Sequence, residues 1–260
     1  MSLKDSVSTY WDQQPCGTSD VSTLKPGTRH YFEAIERERY RWDDHATAAV
    51  AFDAWRGKNV LEVGCGIGTD LRQFIQAGAR VTAVDLSSES LKLARKSLDI
   101  YGLEADLMVA DGESLPLEDN TFDLVYSWGV IHHSSNPPRA VAEILRVLKP
   151  GGTVIAMLYN AHSLVALQLW LMYGLLHAQP LTPIRSLMAE HMESPGTKAY
   201  TERELASLFG AFHNLSIQPI LTRYDLRIAR RRFLPRQVVK LLPQRFGWFL
   251  VVRGCKPHTM

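Results

Sequence analysis

The stretch Asn59-Val60-Leu61-Glu62-Val63-Gly64-Cys65-Gly66-Ile67-Gly68-Thr69 decides the fold. Five residues of strand character run into three glycines set two apart, and apolar residues at helical steps follow from Asp70. A strand that enters a helix through glycines offers the unpaired N–H groups of the helix N-terminus to a polar or anionic group, and the missing side chains let that group approach. The spacing is Gly-x-Gly-x-Gly, with Glu62 two positions upstream, whereas dinucleotide-binding turns read Gly-x-Gly-x-x-Gly.

Outward from this turn, strand-like runs over 59–63, 80–85, 105–110, 122–127 and 153–159 alternate with helical periodicity over 70–77, 88–101 and 139–148. Lys149-Pro150-Gly151-Gly152 is predicted to stop the last helix and turn into the fifth strand. The alternation predicts an α/β fold: a Rossmann-like, doubly wound, mostly parallel sheet over 58–159. Residues 1–57 are predicted as an N-terminal helical cap, irregular chain followed by two helices. Residues 160–260 are predicted to carry a lid inserted after the fifth strand: an apolar helix over 164–176, a loop over 179–200, and a helix opened by a Thr201–Glu204 capping box. A basic helix and two closing strands, 215–224 and 247–253, complete the chain. One structural domain is expected overall.

Composition narrows the function classes. Of 260 residues 46% are hydrophobic and 22% charged, with Gly 17 and Pro 13, which excludes disordered and collagen-like chains. The net charge of +2 is too balanced to indicate a nucleic-acid binder. No Asn-Pro-Pro-Tyr motif follows the fourth strand; Asn136-Pro137-Pro138-Arg139 reads instead as a helix start with proline in its first turn. Cys16, Cys65 and Cys255 are odd in number and far apart, so neither a disulfide framework nor a metal site is expected. No secretory signal is read in the first twenty residues, and the apolar run from Leu164 falls short of a membrane span, so a cytoplasmic location is expected.

Further features sit at the carboxyl ends of predicted strands, where open α/β sheets bind ligands. Asp85 ends the second strand, 21 residues after Gly64, where a carboxylate can accept from both hydroxyls of a ribose. Asp111-Gly112 ends the third, a side-chain acceptor beside a backbone N–H, which suits an adenine edge. The fourth ends in Ser127-Trp128-Gly129-Val130-Ile131-His132-His133.

Together, Leu61-Glu62-Val63-Gly64-Cys65-Gly66-Ile67-Gly68, Val84-Asp85-Leu86-Ser87, Ala110-Asp111-Gly112, Phe122-Asp123-Leu124-Val125 and Arg146-Val147-Leu148-Lys149-Pro150-Gly151-Gly152 resemble the class I S-adenosylmethionine-dependent methyltransferases. The resemblance is to their ubiquinone/menaquinone-biosynthesis-like small-molecule branch, and it covers roughly 58–159. It implies that the closing strand pair, 215–224 and 247–253, forms an antiparallel edge of the sheet. It implies S-adenosylmethionine as cofactor and S-adenosylhomocysteine as product. It implies that Gly64, Gly66 and Gly68 line the methionine moiety with Glu62 beneath its amino group, that Asp85 holds the ribose with Leu86 flanking the adenine, and that Asp111 and Gly112 meet the adenine edge. The Ser127 backbone would lie near the methionine amino group or the transferring methyl.

Methyl transfer from a sulfonium is an in-line displacement, so a base is needed only where the acceptor carries a proton. His132 is the first candidate base, against a loop-shaping role that is the stronger reading for His133; His191 is the second, against a plain surface loop. Tyr10, Trp11, Tyr40 and Trp128 are candidates to close over donor or acceptor. From Arg223 to Lys256 ten basic residues face one acidic, +9 against −7 elsewhere. Within it, Arg230-Arg231-Arg232 followed by Phe233-Leu234 and Val238-Val239-Lys240-Leu241-Leu242 reads as a basic amphipathic helix for weak contact with anionic lipid or a phosphorylated substrate, with a solvated face as the competing reading. The expected activity is methylation of an O or C atom of a small hydrophobic or anionic metabolite by a monomer or homodimer. The alternatives are N-methylation, a catalytically silent adenosyl-binding module acting through partner or membrane contacts, and a nicotinamide-dependent oxidoreductase, which the glycine spacing opposes.

Overall fold

The computed structural model describes residues 2–42, 48–229, 232–233 and 241–258. Its strands are β1 (Asn59–Val63), β2 (Arg80–Asp85), β3 (Asp106–Val109), β4 (Phe122–Trp128), β5 (Leu148–Tyr159), β6 (His213–Ile220), β7 (Arg227–Ala229), β8 (Arg232–Phe233) and β9 (Phe249–Cys255). Seven form one sheet in the order β3-β2-β1-β4-β5-β9-β6. The neighbours from β3 to β5 are parallel, and β9 pairs antiparallel with both β5 and β6. The predicted Rossmann-like α/β architecture with an antiparallel edge is thus the one observed.

The helices are α1 (Leu3–Gln13), α2 (Arg29–Trp42), α3 (Thr69–Gln76), α4 (Ser88–Tyr101), α5 (Pro137–Val147), α6 (Leu164–Leu169), α7 (Ile184–His191) and α8 (Glu202–Leu208). Two hydrophobic layers sandwich the sheet because successive strand side chains point to opposite faces. Val60, Leu124, Ile155 and Val251 join Leu71 and Phe74 of α3 on one face. Leu61, Val125, Val154 and Leu250 join Val141 and Ile144 of α5 on the other. A third, smaller core of Val21, Tyr31, Phe32, Ile35 and Ile67 seats the N-terminal part beside the glycine turn.

Local chemistry sets the helix ends. Ser87 caps α4 by accepting from Ser90 N–H at 3.0 Å, and Gly102, with φ +65°, closes it. Asn136 caps α5 and Pro137 opens it, as expected for the first helical turn. Thr201 and Glu204 form the predicted reciprocal capping box of α8. No helix of the described residues is long and apolar enough to cross a membrane.

Several expectations are corrected. The chain begins with a helix, not irregular segment: α1 buries only Val7, too weak a periodic signal to read, and is held by a Ser2–Asp5 capping box and by tertiary bonds. Strand β5 starts at Leu148, because Lys149-Pro150-Gly151-Gly152 pairs with the chain beyond β9 through Gly151 N–H to Lys256 O (2.9 Å) and Lys256 N–H to Gly152 O (2.8 Å). The apolar helix becomes a π-helical turn over Trp170–Leu175. The expected loop holds α7. The expected strand 215–224 ends at Ile220, and Arg232–Phe233 of the predicted basic helix form β8, paired antiparallel with β7; 230–231 and 234–240 of that prediction lie outside the described residues. Between β6 and β7, Asp225 is buried and accepts from Thr222 N–H (2.7 Å) and Trp248 N–H (3.0 Å), tying this turn to the start of β9.

Candidate active site

A cavity of about 980 Å³ opens at the carboxyl ends of β1, β2 and β4, roofed by α1 and by the segment that follows α7. That volume is at the upper end of the ~300–1,000 Å³ of small-molecule sites, which is room for two ligands. Its floor is the glycine turn. Gly64, Gly66 and Gly68 all have positive φ (+78°, +53° and +81°). A Cβ on Gly64 would meet Val130 Cγ2 at 2.2 Å, so packing behind the turn requires this glycine, whereas one on Gly68 would press Ala94 Cβ at 3.3 Å and is opposed chiefly by the positive φ. Gly66 alone of the three faces open space, with Cys16 Cβ 4.0 Å from its would-be side chain.

Four carboxylates stand around this floor in different states. Asp85 is fixed by Gly66 N–H to one oxygen and Ser87 N–H to the other, both at 2.8 Å, which leaves a lone pair on each oxygen for a diol. Burial nevertheless pushes its carboxyl above the ordinary range. Asp111 accepts Glu113 N–H at 2.9 Å and the ammonium of Lys4, which α1 brings across; Lys4 also binds Glu113 at 2.9 Å. Burial alone would raise Glu113, but Ser135, Lys4, Asn136 and Ser134 hold it down at about 2. Glu62 is the exception. It is 4% exposed, its Oε2 has no partner, and burial first, then the charges of Asp70 and Asp85, push its carboxyl well above the usual range.

Behind Glu62 lies a network that the sequence did not disclose. Asp70 accepts from Arg39 Nε (2.8 Å), Arg39 Nη2, Tyr40 Oη (2.6 Å) and Tyr126 Oη (2.7 Å). Burial would raise its carboxyl, yet Arg39 and the two hydroxyls hold it below its ordinary value. Tyr40 is therefore a strut for Asp70 and does not line the cavity. Arg39 also lies over the Trp128 ring at 5.9 Å, binding the wall to the floor.

The far end of the cavity is aromatic and acidic. Tyr10, Trp11, Trp128, Tyr159 and Phe249 line it, together with Glu193 from the segment after α7. Glu193 keeps exposed surface and lines the cavity; desolvation in this wall lifts its carboxyl above the usual range, opposed by the Tyr159 hydroxyl that donates to it at 2.8 Å. His133 is in this wall, whereas His132 is fully buried, has no partner on either nitrogen and stacks on Tyr159 at 3.9 Å. His191 stacks on Tyr173 at 3.8 Å, away from the cavity. Leu86 and Gly112 line the donor end; Ser127 is fully buried and does not line the cavity. Glu193 and Lys4 carried no sequence signal, since each reaches the site through long-range packing, and Glu113 went unread although it directly follows Asp111-Gly112.

The floor fits S-adenosylmethionine on a feature of this chain: an unpartnered carboxylate oxygen beneath a glycine turn is where the donor's ammonium would supply the missing hydrogen bond and charge. Asp85 and Asp111 then stand at the ribose and adenine positions.

Comparison with known proteins agrees. Residues 61–156 match the family model described as a methyltransferase domain. Demethylmenaquinone methyltransferase of Thermobifida fusca is 30% identical over 175 residues, 67% of this chain and 71% of that protein. Malonyl-[acyl-carrier protein] O-methyltransferase of Pectobacterium atrosepticum is 42% identical over 103 residues, but the match spans only 39% of this chain and 38% of that protein. Among solved structures, an S-adenosylmethionine-dependent methyltransferase of Thermotoga maritima superposes with a TM-score of 0.57 at 17% identity, covering 96% of this chain and 99% of the other.

Proposed function

The chain belongs to the S-adenosylmethionine-dependent methyltransferases, and we propose that it transfers the donor's methyl group to an O or C atom of a small hydrophobic or anionic molecule in the cytoplasm. The observation that carries this reading is the unpartnered Glu62 oxygen below the glycine turn, whose Gly64 and Gly66 both line the cavity. When bound, S-adenosylmethionine supplies a methyl carbon on positively charged sulfur, which an acceptor lone pair attacks in line while the bonding pair returns to sulfur.

The protein's part is positioning and exclusion of water. Glu62, held beside a fixed Asp70, binds an ammonium; Asp85, held by two amides, receives a diol; Asp111 and Gly112 receive an adenine edge. Tyr10, Trp11 and Trp128 wall off the acceptor end, and their ring faces favour a cation. Holding acceptor and methyl at a near-attack distance of roughly 3 Å contributes several kcal/mol.

Calorimetric titration with S-adenosylmethionine, S-adenosylhomocysteine and NAD, followed by a methyl-transfer screen on the same sample, tests the proposal. Binding of the adenosyl pair, absence of NAD binding and transfer to a small acceptor are expected. Binding of NAD alone overturns the reading.

A further inference from the structure

His133 belongs to the turn Ile131–His133 that follows β4, and it is clamped from the other side by the segment after α7. Lys198 N–H donates to His132 O at 3.0 Å and Lys198 Nζ to Ser134 O at 2.7 Å, so the two segments are locked in register. Within that lock, His133 Nδ1 lies 2.7 Å from Ser194 Oγ and 3.1 Å from Thr197 Oγ1, and all three side chains are buried.

The proton on this imidazole can be placed by counting donors. Thr197 has one hydroxyl proton, and it is committed to Ser194 O at 2.7 Å. Thr197 Oγ1 is therefore left as an acceptor toward Nδ1, and the arrangement that satisfies both contacts to Nδ1 places the hydrogen on that nitrogen. Ser194 Oγ shares that hydrogen and turns its own proton toward Thr197 Oγ1 at 3.4 Å. A neutral imidazole protonated on Nδ1 bears a bare lone pair on Nε2. That nitrogen makes no hydrogen bond within the protein and is absent from the buried unpartnered atoms, whereas both nitrogens of His132 are among them; His133 is the histidine in the cavity wall.

We propose that His133 is the catalytic residue that receives the acceptor's proton through Nε2, that Ser194 and Thr197 are positioning residues that fix its tautomer, and that the acceptor therefore presents a hydroxyl to the aromatic end of the cavity. This rests on the methyl-transfer reading above. The balance is direct: the hydroxyl oxygen forms the O–CH₃ bond, the S–CH₃ bond breaks with its pair returning to sulfur, and the O–H proton passes to Nε2 and from there to solvent. Burial and the Lys198 charge hold the free His133 down at about 3, so the ring stays neutral at working pH. A weak base suffices because the hydroxyl proton becomes strongly acidic as its oxygen takes on the methyl cation.

Nitrogen-15 NMR of the full chain with labelled histidine tests the tautomer without any acceptor, with His133→Asn assigning the signal. The expected spectrum shows one neutral species, protonated on Nδ1 and bare on Nε2, from pH 6 to 8 with and without S-adenosylhomocysteine. The double variant Ser194→Ala, Thr197→Val should turn it into a mixture. A signal protonated on Nε2, or a mixture in the unaltered chain, overturns the proposal. Diethyl pyrocarbonate, which acylates bare reachable imidazole nitrogens, should label His133 and spare His132; an unlabelled His133 also overturns it. Turnover is read with 4-nitrophenol, catechol and 4-hydroxybenzoate against 4-nitroaniline and a 1,3-diketone. His133→Asn is expected to lower kcat about a hundredfold with KM little changed. Transfer to the amine or carbon acceptor and to none of the hydroxyls, or a variant within about threefold of the unaltered chain, overturns the assignment. Failure to bind S-adenosylmethionine or its product would instead remove the methyl-transfer reading and leave the tautomer result standing.

Discussion

Glu62 and Asp70 stand in the same buried wall and show how neighbours decide what a carboxylate is for. Asp70 has every oxygen spoken for and is structural; Glu62 lacks a partner on Oε2 and is left waiting for a cation. Replacing Glu62→Gln keeps the volume and removes the charge, so donor affinity should fall tenfold or more, about 1–3 kcal/mol for a charge-assisted bond, while the unliganded protein loses no stability. Because burial raises the Glu62 carboxyl above its unfolded value, this residue's contribution is present at low pH and is lost as pH rises through the folded value. Thermal unfolding from pH 5 to 8 should be flatter for the variant; an equal slope would refute the assignment. At this scale the sequence made the glycines, Asp85 and Asp111 legible because they sit at strand ends. It ranked His132 above His133 as base, the reverse of their placement, since two adjacent imidazoles differ only in what packs against them, and it could not reveal Glu193, which is nine residues past the start of a helix that itself went unread.

Elements were legible where periodicity is strong. The bounds of β1, β2 and α4 coincide with those expected, and α3 and α5 differ by one or two residues, because each carries a full apolar stripe facing the sheet. α1 and α7 were not legible: each buries only one or two side chains and depends on caps, a proline entrance or bonds to distant residues. Polar ties of this kind lend themselves to measurement. Arg72 of α3, 1% exposed, donates to Ser97 of α4 at 2.6 Å, pairs with Glu36 of α2 and lies over the Tyr101 ring at 4.3 Å. Arg72→Met should cost about 3 kcal/mol in urea unfolding, since it strands Ser97 and half of an ion pair. Asp225, raised by burial to about 6 against its amide partners, makes the turn before β7 sensitive to pH. Its contribution is complete below about pH 4 and is lost as pH rises through about 6, worth up to about 3 kcal/mol. Asp225→Asn should therefore gain on the parent chain as pH rises from 4 to 7, read as the difference in unfolding midpoint.

On the scale of the whole molecule, charge is divided: +9 from Arg223 to Lys256 and −7 over the remainder. The cavity is lined mostly from the acidic part, with Glu38, Glu62, Asp70, Asp85, Asp111, Glu113 and Glu193 against Lys4, Arg39 and, from the basic segment, Arg223. S-adenosylmethionine carries one more positive charge than S-adenosylhomocysteine, so added salt should weaken the first more than the second. Calorimetry at low and high ionic strength measures the two slopes, and parallel slopes would contradict an acidic field at the site.

The strand order has a consequence in time. β9, which follows β5 and β6 in the chain, lies between them and completes the pairing of both, and Lys256 just beyond it pairs with Gly151 and Gly152 of β5. While the ribosome is still adding residues 249–255, β5 presents an open edge able to recruit other strands. Until β9 is in place the chain is thus at its most adhesive. A chain truncated before Phe249 should be captured by chaperones or proteases, even though every residue of its glycine turn is present.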